Sequence, residues 1–121
     1  MTMLLVVQGR TTEFDVLVTD LDGQPMDITA VDLQFMAKRA LTDADTAAVI
    51  DLSTPTGITK DPDQTNNTGK ARIRVPMAAT DSLLPTGRNT RLLWECLANS
   101  GTEEWAVDLG VLLVVPEVIQ A

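Results

Sequence analysis

Apolar residues recur at every second position through most of this chain, and that period rules out most architectures at once. In TEFDVLVTD, Phe14, Val16 and Val18 share one side while Glu13, Asp15 and Leu17 share the other. VDLQFMAKR sets Val31, Leu33, Phe35 and Ala37 against Asp32, Gln34, Met36 and Lys38. KARIRVP sets Ala71, Ile73 and Val75 against Lys70, Arg72 and Arg74, and TRLLWECLA sets Leu92, Trp94, Cys96 and Ala98 against Arg91, Leu93, Glu95 and Leu97. Repeated alternation of this kind belongs to half-buried antiparallel strands. Further strands are expected at 4–8, 48–52, 104–109 and 111–115. Between them lie turn signals: Asp22-Gly23, Thr56-Gly57, DPDQTNNTG, Pro85-Thr86-Gly87 and Asn99-Ser100-Gly101. Only MAATDSLLP, from Met77 to Pro85, lacks the period, and it can form one helical turn crossing between sheets. The expectation is an all-β, antiparallel sandwich of about seven to nine strands with one short helical turn.

Size and composition fit that expectation. A chain of 121 residues, 45% apolar and 21% charged, corresponds to one globular domain spanning 1–121, and no repeat, low-complexity tract or linker divides it. Such a domain buries roughly two-thirds of its unfolded surface, enough to fold without a disulfide or a metal. The lone cysteine, Cys96, is expected to be a small buried hydrophobe on its strand. Histidine is absent, which removes the commonest general base and the commonest metal ligand. A net charge of −8 and a pI near 4.2 argue against binding nucleic acid or an anionic membrane. The opening MTMLLVVQGR has no basic leader, and its apolar run is too short for a signal peptide or a membrane span. Synthesis and retention in a cytoplasm, or assembly there into something larger, are expected.

Two acidic stretches could bind a cation or could be turn chemistry. They are DLDG (Asp20 to Gly23) and DPDQTNN (Asp61 to Asn67). Calcium favours several carboxylate and amide oxygens on one loop, yet neither stretch has the closing glutamate and fixed-position glycine of a known calcium loop. Turn chemistry explains both: glycine adopts positive φ freely, and aspartate bonds its own backbone. Pro25 is expected to stop ladder pairing before the next strand. Asn66-Asn67-Thr68 has the form of a glycosylation sequon but reads as loop without a secretory leader.

No catalytic constellation is present. Asp51, Glu95, Glu103, Glu104 and Asp108 lie in or beside strands, at spacings that outward alternation explains. Nucleophile elbows, phosphate loops, dinucleotide fingerprints and paired cysteines are all missing. Trp94 and Trp105 are expected to fill the core. With 3% aromatics and no tyrosine, the chain is poorly equipped to stack glycans or single-stranded nucleic acid. No cofactor, metal or small-molecule substrate is expected.

The order of these pieces resembles a family. FDVLVTDLDGQPMDIT, VDLQFMAKR, TGKARIRVPMAATDSLLPTG and LLWECLANSGTEEWAVDLGVLLVVPEV follow one another. They match a grammar of D-x-D-G-x-P-x-D-[IL]-[TS], a V-x-F-x-x-K strand, a G-x-a-x-v-x-v strand, and a final hairpin ending in V-x-P. The chain, from about Val7 to Val118, resembles tailed-bacteriophage virion proteins typified by the N-terminal domain of the baseplate upper protein. Two departures stand out. No aromatic follows Gly87 before Trp94, and the sequence stops at Ala121 without a receptor-binding extension. The resemblance implies an immunoglobulin-like sandwich and a non-enzymatic structural role in a phage tail, baseplate or neck, or on the capsid surface as a cement or decoration subunit. The protein would be made in the bacterial cytoplasm and kept in the virion, with other virion proteins and itself as partners. The alternative is a small protein- or glycan-binding sandwich outside a virion.

Two strands are apolar on both phases, and such strands should be covered. They are the one bearing Leu93 and Leu97 and the terminal run GVLLVVPEVIQA. The arms MTMLLVV and PEVIQA suit strand addition to a neighbour's sheet edge. The candidate assembly contacts are therefore Leu4, Leu5, Leu93, Leu97, Leu112, Val114, Val118 and Ile119. The competing account is that a loop, or MAATDSLL, covers them within one chain. Phe14, Val16, Leu33, Phe35, Ile73, Leu92 and Trp94 are expected to point inward.

Overall fold

The computed structural model describes residues 2–81 and 89–116. Eight strands are seen among them: β1 (Thr2–Val7), β2 (Thr12–Leu17), β3 (Asp32–Lys38), β4 (Ile50–Ser53), β5 (Ile58–Lys60), β6 (Lys70–Val75), β7 (Thr90–Asn99) and β8 (Glu104–Val115). A 3-10 turn at Asp45–Ala47 and the five-residue α1 (Met77–Asp81) are the helical pieces among the described residues. The expected turn at 85–87 lies outside them.

The strands form a five-stranded sheet, β1-β8-β7-β3-β4, and a three-stranded sheet, β2-β6-β5. All pairs are antiparallel except β1 with β8, which run parallel from Thr2 beside Gly110 to Val7 beside Val115. That arrangement reproduces the strand order of a variable-type immunoglobulin sandwich, with β2, β6 and β5 in the smaller sheet. The fold is the expected all-β, immunoglobulin-like sandwich.

Three details differ from the sequence reading. A short strand, β5, follows Gly57 directly and carries the fully buried Ile58. The two strands expected at 104–109 and 111–115 are one strand, because Gly110 continues the ladder opposite Trp94. Pro25 takes part in an isolated bridge with Thr19 instead of ending the pairing. The bonds either side of it run from Asp20 N–H to Gln24 and from Met26 N–H to Val18, so its missing donor is not needed.

One buried cluster joins the sheets. Leu33, Phe35, Leu92, Trp94 and Cys96 come from one sheet, and Ile58, Ile73 and Val75 from the other. Phe35 stacks on Trp94 with ring centroids 5.4 Å apart. Phe14 and Val16 keep the inward phase but are only half-buried, since β2 is an edge strand of the smaller sheet. Gly69 holds β6 close to its neighbour: its φ is +79°, and a Cβ there would come within 2.5 Å of the Val18 carbonyl oxygen.

Candidate assembly surface

The surface to be explained is the outer face of the five-stranded sheet. A β-ladder places paired residues on the same face, so the register assigns each side chain. Leu92, Trp94 and Cys96 point into the core, which turns Arg91, Leu93, Glu95 and Leu97 outward. Across the β7–β8 ladder, Arg91 pairs with Leu113, Leu93 with Val111, and Glu95 with Leu109. Continuing onto β1, Val111 lies beside Met3 and Leu113 beside Leu5. The result is a continuous apolar stripe over three strands, in which Met3 is 67%, Leu5 57% and Leu109 47% exposed.

Of the sequence-based contacts, Leu5, Leu93 and Leu97 lie on this face. Leu4 does not: it is half-buried and packed against the core. Leu112 and Val114 are corrected outright, being 0% and 2% exposed. Val118 and Ile119 lie outside the described residues. The reason for the correction is a β-bulge. The hairpin starts with Asn99 opposite Glu104, and its register shifts between Cys96 and Leu97. An unbroken ladder would have put Leu112 opposite Arg91 and therefore outward. One extra residue flips every later side chain of β8 to the other face. Val111 and Leu113 thus take the outward places. Met36, outward on β3, joins them. Apolarity on both phases was legible in the sequence, but the bulge that chooses between them was not.

A groove of about 340 Å³ lies on this face, lined by Leu93, Leu97, Leu109, Met36 and Leu41. Lys38, Asp45 and Glu95 provide polar groups at its margin. Lys38 pairs with Asp45 and also donates to the Asp43 carbonyl oxygen at 3.1 Å. The described part of MAATDSLL does not cover the stripe. Ala79 packs on the core, and Thr80 is fully buried, its Oγ1 accepting the Gly9 N–H at 3.0 Å.

The acidic stretches act as turns. Asp20 Oδ1 accepts the N–H groups of Asp22 and Gln24 at 2.9 and 3.0 Å, and Gly23 has φ +81°. In the second loop, Asp61 accepts the Asp63 N–H, while Asp63 accepts both the backbone and the side-chain amide of Asn66. These bonds hold the Asp63 carboxyl below its ordinary pKa, the Asn66 side-chain bond most of all. Among the described residues, no three acidic or cysteine side chains converge as metal ligands do. Gln64 ties the loop to the rest. Its Oε1 accepts from Ile28 and Gly69, and its Nε2 donates to the carbonyls of Asp61 and Lys70. Sequence reading missed this buried amide, since nothing local distinguishes it from a solvated loop glutamine.

Cys96 is buried as expected. Burial, with smaller contributions from the Asp108 and Glu95 charges, pushes its thiol up to about 12. Trp105 packs against the core as expected but is only half-buried, its indole N–H donating to the Thr19 carbonyl at 3.2 Å. On the outer face of the smaller sheet, Arg72 pairs with Asp15 at 3.1 Å and Glu13 at 3.5 Å, a solvated cross-strand cluster of modest energetic weight.

Fold and surface together define a class: an immunoglobulin-like sandwich with an apolar outer sheet face. No protein-family model and no curated protein sequence matches the chain. Among solved structures, it is similar to the NK cell receptor Nkp44, described as a triggering partner in natural cytotoxicity. That likeness has 14% identity and a TM-score of 0.49, covering 95% of this chain and 96% of the other. A likeness of this degree says nothing about what either protein binds.

Proposed function

We propose that this chain is a non-enzymatic structural subunit of a tailed-bacteriophage particle, in the tail, baseplate or neck or on the capsid surface. It would be made in the host cytoplasm and incorporated into the virion by contact with other virion proteins. The observation that carries this reading is the outer face of the five-stranded sheet. Met3, Leu5, Leu93, Val111 and Leu113 form an apolar stripe beside the open edge of β1. A freely soluble sandwich has no use for it, and an assembled one buries it. The turn grammar that resembles phage virion proteins adds the kind of assembly. The test is co-sedimentation of purified protein with capsid and tail components of its phage, beside a Leu93→Glu, Leu113→Glu variant that stays folded. Incorporation of the wild type and exclusion of the variant support the reading. Equal incorporation of both, or of neither, overturns it. The groove lined by Leu41 and Leu93 favours a second reading, a protein- or glycan-binding module; saturable glycan binding by a protein that never joins particles would select it.

A further inference from the structure

The same face carries a pattern of charge that selects its partner. On β7, Leu93 sits midway between Arg91 and Glu95, all three outward; on β8 the matching outward residues are Val111, between Leu113 and Leu109. The face is thus built about the row Leu93–Val111, with apolar residues at equal steps along β8 and opposite charges at equal steps along β7. Resting on the assembly reading above, we propose that its first partner is a second copy of this chain. The two outer faces would pack about a twofold axis that lies in the interface and crosses the strands along the Leu93–Val111 row.

The orientation follows from the charges. A twofold across the strands exchanges the two directions along each strand. Arg91 of each copy then faces Glu95 of the other, Leu113 faces Leu109, and Leu93 and Val111 meet their own counterparts. A twofold along the strands would instead set Arg91 against Arg91 or against Leu113, leaving both charges desolvated without a partner. Self-complementarity of this kind is what an isologous contact requires. Stacked sheets lie about 10 Å apart, a gap that an arginine and a glutamate reaching from opposite sides can close. The available face, about 20 Å by 25 Å, gives on the order of 1,000 Å² for two copies, the lower bound for a specific interface. The dimer should therefore dissociate on dilution. The rim agrees: Lys38, at the β3 end of the central row, is already paired with Asp45 and leaves no unmatched cation there.

Sedimentation of the full chain over a concentration series tests this. The wild type should show a reversible species of twice the monomer mass. Arg91→Glu alone and Glu95→Arg alone should each raise the dimer dissociation constant about tenfold or more, the scale of one lost charge-assisted contact. The Arg91→Glu, Glu95→Arg double variant should restore it to within about threefold. Leu93→Glu should abolish the dimer with an unchanged β-sheet circular dichroism spectrum. A wild type that stays monomeric throughout overturns the proposal, as do single variants that dimerise normally or a double variant no better than the singles. Particle incorporation is read separately. A monomer that joins particles removes the twofold pairing and leaves the assembly reading standing; a dimer that never joins them does the reverse.

Discussion

Replacing Leu112 and Leu113 one at a time by alanine tests which way the last strand faces. Leu112 is fully buried, opposite Leu92 on β7 and Leu4 on β1, so paired strands on both sides keep the space from collapsing. Losing three buried carbons costs about 2.4 kcal/mol in transfer free energy at about 0.8 kcal/mol each. The residual cavity raises the expected loss for Leu112→Ala to about 3–4 kcal/mol. Leu113 is half-buried on the outer face, and its alanine variant should cost about 1 kcal/mol or less. Urea denaturation followed by tryptophan fluorescence reads the difference. With a slope of about 2 kcal/mol/M for a domain of this size, the midpoint should fall by about 1.5–2 M for Leu112→Ala and by no more than about 0.5 M for Leu113→Ala. Equal slopes in all three proteins are needed for the comparison. If Leu113→Ala is the more damaging, the bulge at Cys96 and Leu97 is misplaced and the assembly face with it.

Three further outcomes are expected. Trp94→Ala removes a buried ring that stacks on Phe35 and should destabilise by about 3–5 kcal/mol; wild-type stability with lost association would make Trp94 a surface contact. Millimolar calcium should move the melting temperature by no more than about 1 °C, since saturable binding to the folded state would raise it. A rise of several degrees that Asp61→Ala abolishes would make the 61–67 loop a cation site. Cys96, with its thiol pushed up to about 12, should react with an aromatic disulfide at pH 8 only as fast as the protein unfolds, and labelling at the rate of free cysteine would contradict its burial.

The strands that were legible are those with one apolar and one polar phase. In β3 and β6 the alternation fixes both the element and its inner face, because a polar residue at Gln34 or Arg72 leaves no second choice. Where both phases are apolar, as in β8, composition stops discriminating and the inner face is set by a bulge within the strand itself, at Val107, eight residues before its end at Val115. β5 escaped notice because three residues cannot display a period, and Ile58 is marked only by its burial. The parallel pairing of β1 depends on where the last strand ends up, which no local pattern encodes. Of the candidate contacts, Leu5, Leu93 and Leu97 were legible as apolar residues out of phase with the core. Val111, Leu113 and Met3 became visible only once the ladder joined them into a stripe.

The parallel pairing of β1 with β8 also sets how the molecule bears tension. β1 runs from Thr2 to Val7 alongside Gly110 to Val115, in the same direction. A pull applied at Thr2 and at Val115 therefore draws the two strands past each other along their length. In that geometry the rungs of the ladder are loaded together, and they must give way nearly at once. An antiparallel pair held at adjacent ends would peel apart one hydrogen bond after another under far less force. Forced rupture is governed by the unfolding rate rather than by equilibrium stability, so a sandwich of modest thermodynamic stability can still resist stretching between these two points. Tension across the opposite edge, at β4, meets only an antiparallel pairing with β3 and has no such protection. The direction from which a load arrives, more than its size, decides whether this fold holds.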